Sequence, residues 1–99
     1  MDTLTSEGAV MPQRTVVIRS AIGLHARPAS LFSRAAAETG VTVLITAESG
    51  RTANAASILA VLALGIDHGE TVVLESDEPG ANAALDTLAE LLSSDLDAL

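Results

Sequence analysis

The sequence predicts an α+β fold, with three helices on one face of a small antiparallel sheet in the order β-α-β-β-α-β-α. Three observations carry this reading. Residues 14–20 and 70–76 alternate apolar and polar side chains with the period of a strand. Residues 26–38 and 81–93 instead repeat their apolar side chains at helical spacing. Between them, residues 41–54 form two strand-like runs around a tight turn at Glu48-Ser49-Gly50. Helices on one face of the sheet would bury both the helical stripes and the inner strand faces.

The first strand spans Arg14 to Ser20, with Val16 and Ile18 on one face and Arg14 on that side at the open end. A loop, Ala21-Ile22-Gly23-Leu24, leads into the first helix, about Ala26 to Glu38. Leu31, Phe32, Ala35 and Ala36 define its buried stripe, Pro28 falls in the first turn where a missing N–H costs little, and Thr39-Gly40 ends it. The second strand covers residues 41–47, with Val41, Val43 and Ile45 inward, and the third covers Arg51 to Asn54. Ser57 is placed to cap a short helix from Ile58 to Leu64 that Gly65 closes. Within it, Ile58, Val61 and Leu64 are expected to face the core, with Leu59 and Leu62 outward. The fourth strand runs from Glu70 to Ser76, with Val72 and Leu74 on one face. The last helix, about Ala81 to Ser93, carries a stripe of Ala84, Leu85, Leu88, Leu91 and Leu92, with Asp86 and Glu90 outside it.

Domain organisation follows from the same periodicities. Residues 1–11 show no periodicity and read as a disordered tail, residues 12–93 as one domain, and residues 94–99 as a C-terminal tail. Phe32 is the lone aromatic, so the core must be built from Ala, Val, Ile and Leu.

Composition excludes several classes of function. The formal charge is −8, there is no lysine, and all five arginines lie in residues 1–51. Residues 52–99 hold nine acids and no arginine, so binding to nucleic acid through its phosphates is not expected. Without cysteine there are no disulfides and no thiolate metal sites, which fits a reducing cytoplasm. The Met1-to-Gly8 segment is acidic and polar and shows no secretory signal. The longest apolar run, residues 53–66, is interrupted by Asn54 and Ser57 and falls short of the roughly 20 residues a membrane span needs. Membrane insertion is therefore not expected.

The chemistry concentrates in Gly23-Leu24-His25-Ala26-Arg27-Pro28-Ala29-Ser30. His25 falls at the start of the first helix, and Arg27 follows two residues on. A neutral imidazole is a nucleophile. The first-turn amides of a helix and a planar guanidinium together suit a doubly charged oxyanion. Transfer of a phosphoryl group needs little beyond positioning and charge stabilisation. A histidine at a helix start can also serve merely as a cap or a turn contact, but Gly23, Arg27 and the helix N-terminus together favour the phosphate reading. No histidine or carboxylate stands at metal-ligand spacing from His25, no nucleotide-binding glycine loop is present, and no catalytic triad can be assembled. No metal or cofactor is expected. His68, in a polar turn, reads as a surface bystander.

The segment Gly23-Leu24-His25-Ala26-Arg27-Pro28-Ala29 resembles the active-site signature of HPr, the histidine phosphocarrier family of the bacterial phosphoenolpyruvate-dependent sugar phosphotransferase system. A second block, Asn54 to Gly65, resembles that family's signature around the serine that opens its short helix. The resemblance extends over about residues 12–93. It implies an open-faced β-sandwich with a four-stranded antiparallel sheet and three helices on one side. It also implies that His25 accepts a phosphoryl group on Nδ1 from enzyme I and passes it to enzyme IIA, with Arg27 holding the phosphoryl oxygens. Such a protein is a stoichiometric carrier, cytoplasmic and expected to be monomeric, rather than an enzyme. The implied partner surface includes Arg34, Leu59 and Leu62. For Ser57 the resemblance implies regulatory phosphorylation by a serine kinase, as in some relatives; those relatives often carry a basic residue where this chain has Ala56. Two alternatives share the framework: a carrier of a nitrogen-linked or dihydroxyacetone kinase branch, and a regulatory binding module.

Overall fold

Period-two alternation becomes a four-stranded, wholly antiparallel sheet in the computed structural model, which describes residues 11–96. The strands are β1 (Gln13–Val17), β2 (Leu44–Thr46), β3 (Thr52–Asn54) and β4 (Thr71–Glu75), in spatial order β1-β4-β2-β3. The helices are α1 (Ala26–Glu38), α2 (Ile58–Ala63) and α3 (Ala81–Leu92). Residues 1–10 of the expected N-terminal tail, and 97–99 of the expected C-terminal one, lie outside the described residues.

Register explains which faces are buried. Val16 stands opposite Val72, Leu74 opposite both Arg14 and Ile45, and Ile45 opposite Ala53. Directly paired residues share a face, so Val16, Val72, Leu74, Ile45 and Ala53 form one continuous buried surface. Arg14 lies on that face at its open end, where its guanidinium reaches Asp86 and Asn82 of α3. Val17, one residue on from Val16, projects from the other face and is exposed.

The second strand is shorter than alternation suggests. Side chains take the amides that a longer ladder would use: Thr39 Oγ1 accepts from the Val41 amide, and a Glu78 carboxylate oxygen accepts from that of Thr42. Val43 and Ile45 are nonetheless buried as expected, and Val41 is packed against the core.

α1 lies between α2 and α3 and touches both. Its buried face is Pro28, Ala29, Phe32, Ser33 and Ala36. Leu31 and Ala35, expected in the centre of the stripe, are half-buried at its edge. Contact with a helix on each side widens the buried sector and moves its centre onto Ala29, Phe32 and Ala36. On α3, Ala81, Ala84, Leu85, Leu88 and Leu92 are buried, and Leu91 is half-buried. Leu96 is also buried in the core, so packing continues past the expected domain end at residue 93.

α2 departs most from expectation. Val61 and Leu64 are buried, but Ile58 is 38% exposed. A six-residue helix makes fewer than two turns, and its first residue stands at the mouth of a groove with Ser30, Ser33, Arg34 and Ala37 of α1. Leu59 is 77% exposed, as expected, whereas Leu62 is half-buried against the core. No helix among the described residues is long and apolar enough to cross a membrane.

Candidate functional site

Two loops meet at the start of α1. Residues 20–25 lead out of β1, and residues 65–70 lead into β4. The Leu24 amide donates to the Ile66 carbonyl at 2.9 Å, and the Gly69 amide donates to that of Ile18 at 2.9 Å. Gly23 permits this approach. Its φ is +76°, and a Cβ there would stand 2.4 Å from the Ile66 carbonyl oxygen and 2.8 Å from Asp67 Cα. His68 adds a third tie, for its Nδ1 lies 3.0 Å from the carbonyl oxygen of buried Ser20. A carbonyl only accepts, so Nδ1 donates. His68 is on the surface, as expected, but it serves as a clasp between the loops rather than a bystander.

His25 occupies the N-cap position of α1, with φ −125° and ψ 161°. Its backbone carbonyl accepts from Ala29, but its imidazole caps no helix amide and is 42% exposed. The next residue accounts for this placement. Ala26 has φ +49°, the sole positive φ at a non-glycine among the described residues. Such a conformation costs about 1–2 kcal/mol for an L-residue and turns the chain sharply from extended to helical. The turn delivers the ring to the surface beside the helix N-terminus, where anions are favoured.

Arg27 follows on the exposed side of the same turn, and Pro28 beyond it is buried. Arg34 is exposed farther along α1 and lines the groove that α1 forms with Ala56 and Ile58. Ser57 caps α2, its Oγ accepting from the Ala60 amide at 3.4 Å. Leu59 stands out from α2 on the solvent side, while Leu62 turns partly toward the core. His25 and Arg27 therefore share one helix turn, and Arg34 with Ile58 forms a second locus between the helices. No group of three or more His, Asp or Glu side chains gathers among the described residues as a metal site would require.

One neighbour of His25 is not among the residues the sequence singles out. Asp67 Oδ1 lies 3.7 Å from His25 Nε2, and the carboxylate is 82% exposed. Its distance along the chain hides it from any spacing rule. The legible hint is Gly23, whose positive φ signals the close approach of another backbone, here that of Ile66 and Asp67.

A family model for the PTS HPr component phosphorylation site matches residues 12–94. The chain belongs to the HPr family. It is 54% identical over 89 residues to the phosphocarrier protein HPr of Streptomyces coelicolor, covering 90% of this chain and 96% of that one. Similarity to the HPr of Haloferax volcanii is 42% over 83 residues, covering 83% and 93% of the two chains. Among solved structures, HPr from Bacillus anthracis superposes with a TM-score of 0.79 at 32% identity, covering 84% of this chain and 98% of that one. HPr from Thermoanaerobacter tengcongensis does so at 0.81 and 30% identity, covering 88% and 97%. The open-faced α+β sandwich expected from the sequence is the HPr fold, and the protein is an HPr phosphocarrier of the phosphotransferase system.

Proposed function

We propose that His25 is the phosphoryl-carrying residue, taking the group on Nδ1 from phosphorylated enzyme I and passing it to a sugar-specific enzyme IIA. The observation that carries this is the placement of His25 at the N-cap of α1 with an exposed imidazole that caps nothing. A ring used for capping would have its acceptor nitrogen turned into the helix end; this one is presented to a partner.

The roles divide by position. Arg27, in the first turn of α1, is the guanidinium that engages the phosphoryl oxygens. The amides of that turn add oriented positive dipoles. Arg34 and Leu59 belong to the docking surface, joined by the exposed edge of Ile58, while half-buried Leu62 contributes only its outer edge. A small apolar patch beside two arginines suits a partner with an acidic rim around an apolar centre.

The protein acts as a stoichiometric carrier in the cytoplasm, and the partners provide the pockets and the rate. Ser57 serves as the cap of α2. Phosphate on its hydroxyl would compete with that bond, and Ala56 stands directly before it with no basic side chain. Incubation with enzyme I and phosphoenolpyruvate tests the reading. One acid-labile phosphoryl group per chain is expected, absent from His25→Ala; label that survives this substitution contradicts the assignment.

A further inference from the structure

We propose that Asp67 is a positioning residue for phosphoryl transfer, whose carboxylate holds the imidazole proton of His25 on Nε2 and so leaves the Nδ1 lone pair free to attack. The inference rests on the carrier reading of His25 and adds to it a residue from a distant loop.

The carboxylate approaches one particular nitrogen: Asp67 Oδ1 is 3.7 Å from Nε2. That separation is too long for a full hydrogen bond but short for an electrostatic contact. A negative charge there favours the tautomer whose N–H dipole points toward it, which is the Nε2–H form. The remaining nitrogen, Nδ1, then keeps its lone pair.

The fold fixes the backbone that carries this carboxylate. The Asp67 amide donates to Glu70 Oε1 at 3.1 Å, and the Asp67 carbonyl accepts from the Glu70 amide at 3.1 Å. Its predecessor Ile66 is bonded to Leu24, the residue directly before His25, at 2.9 Å. Its successor His68 is bonded to Ser20 at 3.0 Å. Both flanks of Asp67 are thus tied to the loop that carries the imidazole.

The chemistry balances with the proton stationary. The Nδ1 lone pair forms a bond to phosphorus as the nitrogen–phosphorus bond of the donor phosphohistidine, its ring protonated on the other nitrogen, breaks and the electron pair returns to the donor ring, leaving it a neutral imidazole. The His25 ring then carries phosphorus on Nδ1 and a proton on Nε2, a cationic ring facing the Asp67 carboxylate. In onward transfer a nucleophile of the acceptor partner forms a bond to phosphorus as the Nδ1–phosphorus bond breaks, its electron pair returns to Nδ1, and a neutral Nε2–H imidazole is left. No proton needs to enter or leave at either step.

Both groups are partly exposed, so the effect is modest, about two- to fivefold in the tautomer ratio. The test is nitrogen-15 NMR of the His25 ring in the full chain, in alkaline buffer where an imidazole is neutral. The wild-type protein should show the Nε2–H pattern. Asp67→Asn and Asp67→Ala should each move the ring nitrogens toward the mixed-tautomer pattern by about that factor in the ratio, and slow phosphorylation by enzyme I by about twofold or less, in proportion to the drop in the Nε2–H fraction. Wild-type nitrogen shifts in either folded variant overturn the proposal, as does a shifted tautomer with an unchanged rate. A wild-type protein that enzyme I cannot label would refute the carrier reading instead, and the tautomer measurement, made on unphosphorylated protein, is independent of that outcome.

Discussion

The amide of Leu24 meets the carbonyl of Ile66 at 2.9 Å across a position, Gly23, that has no room for a side chain. This contact joins the loop before α1 to the loop before β4 and sets where His25 stands. A methyl at residue 23 would have to occupy space 2.4 Å from the Ile66 oxygen while its backbone held φ +76°. Gly23→Ala is therefore expected to destabilise the fold by about 2 kcal/mol or more, the left-handed conformation and the clash adding together. Urea unfolding measures this. A loss below half that value would mean that the two loops can separate cheaply.

Arg27→Ala should leave stability nearly unchanged, because the side chain is exposed. Phosphorylation of His25 by enzyme I should slow by about 100-fold, the effect of removing one strong donor from an anionic transition state. Rapid-quench kinetics at saturating enzyme I read the effect. A slowing of only about twofold would assign the stabilisation to the backbone amides of α1.

Leu88 lies on α3 with no exposed surface, in a core whose only aromatic is Phe32. Leu88→Ala should cost about 2–5 kcal/mol, from lost transfer energy and from the cavity left behind. Calorimetry should show a lower Tm with an otherwise cooperative transition. A cost under 1 kcal/mol would show that the aliphatic core collapses around the gap.

Arg14 and Asp86 are 2.8 Å apart with side chains 30% and 67% exposed. An ion pair so open to solvent should have a coupling energy below about 1 kcal/mol in a double-mutant cycle. The Arg14 guanidinium also reaches Asn82, so Arg14→Ala should cost somewhat more than Asp86→Ala. A coupling of several kcal/mol would mean the pair is effectively desolvated.

Much of this architecture was legible in the residues because local pattern and tertiary packing agree. Val16, Ile18, Val43, Ile45, Val72 and Leu74 alternate in sequence and are all buried. Departures occur where a third element intervenes. The α1 stripe is rotated from Leu31 and Ala35 toward Ala29 and Ser33 because α1 is flanked by two helices. The second strand is shortened because Thr39 and Glu78 take its leading amides. Ile58 is on the surface because α2 is too short to bury both its ends.

The site shows the same division. His25, Arg27 and the glycine that precedes them are contiguous, so their association could be read directly. Asp67 and His68 reach the site only through the packing of one loop on another. No periodicity records such a contact, and only the requirement for glycine at residue 23 hints that it exists.

In the proposed carrier the phosphoryl group resides on Nδ1 of His25. Proton–phosphorus correlation NMR on the protein phosphorylated by enzyme I and phosphoenolpyruvate tests it most directly. One phosphorus resonance is expected, coupled to the His25 ring in the pattern of an Nδ1-phosphoimidazole. Phosphorus found on Nε2 of His25, on His68 or on Ser57 would contradict it.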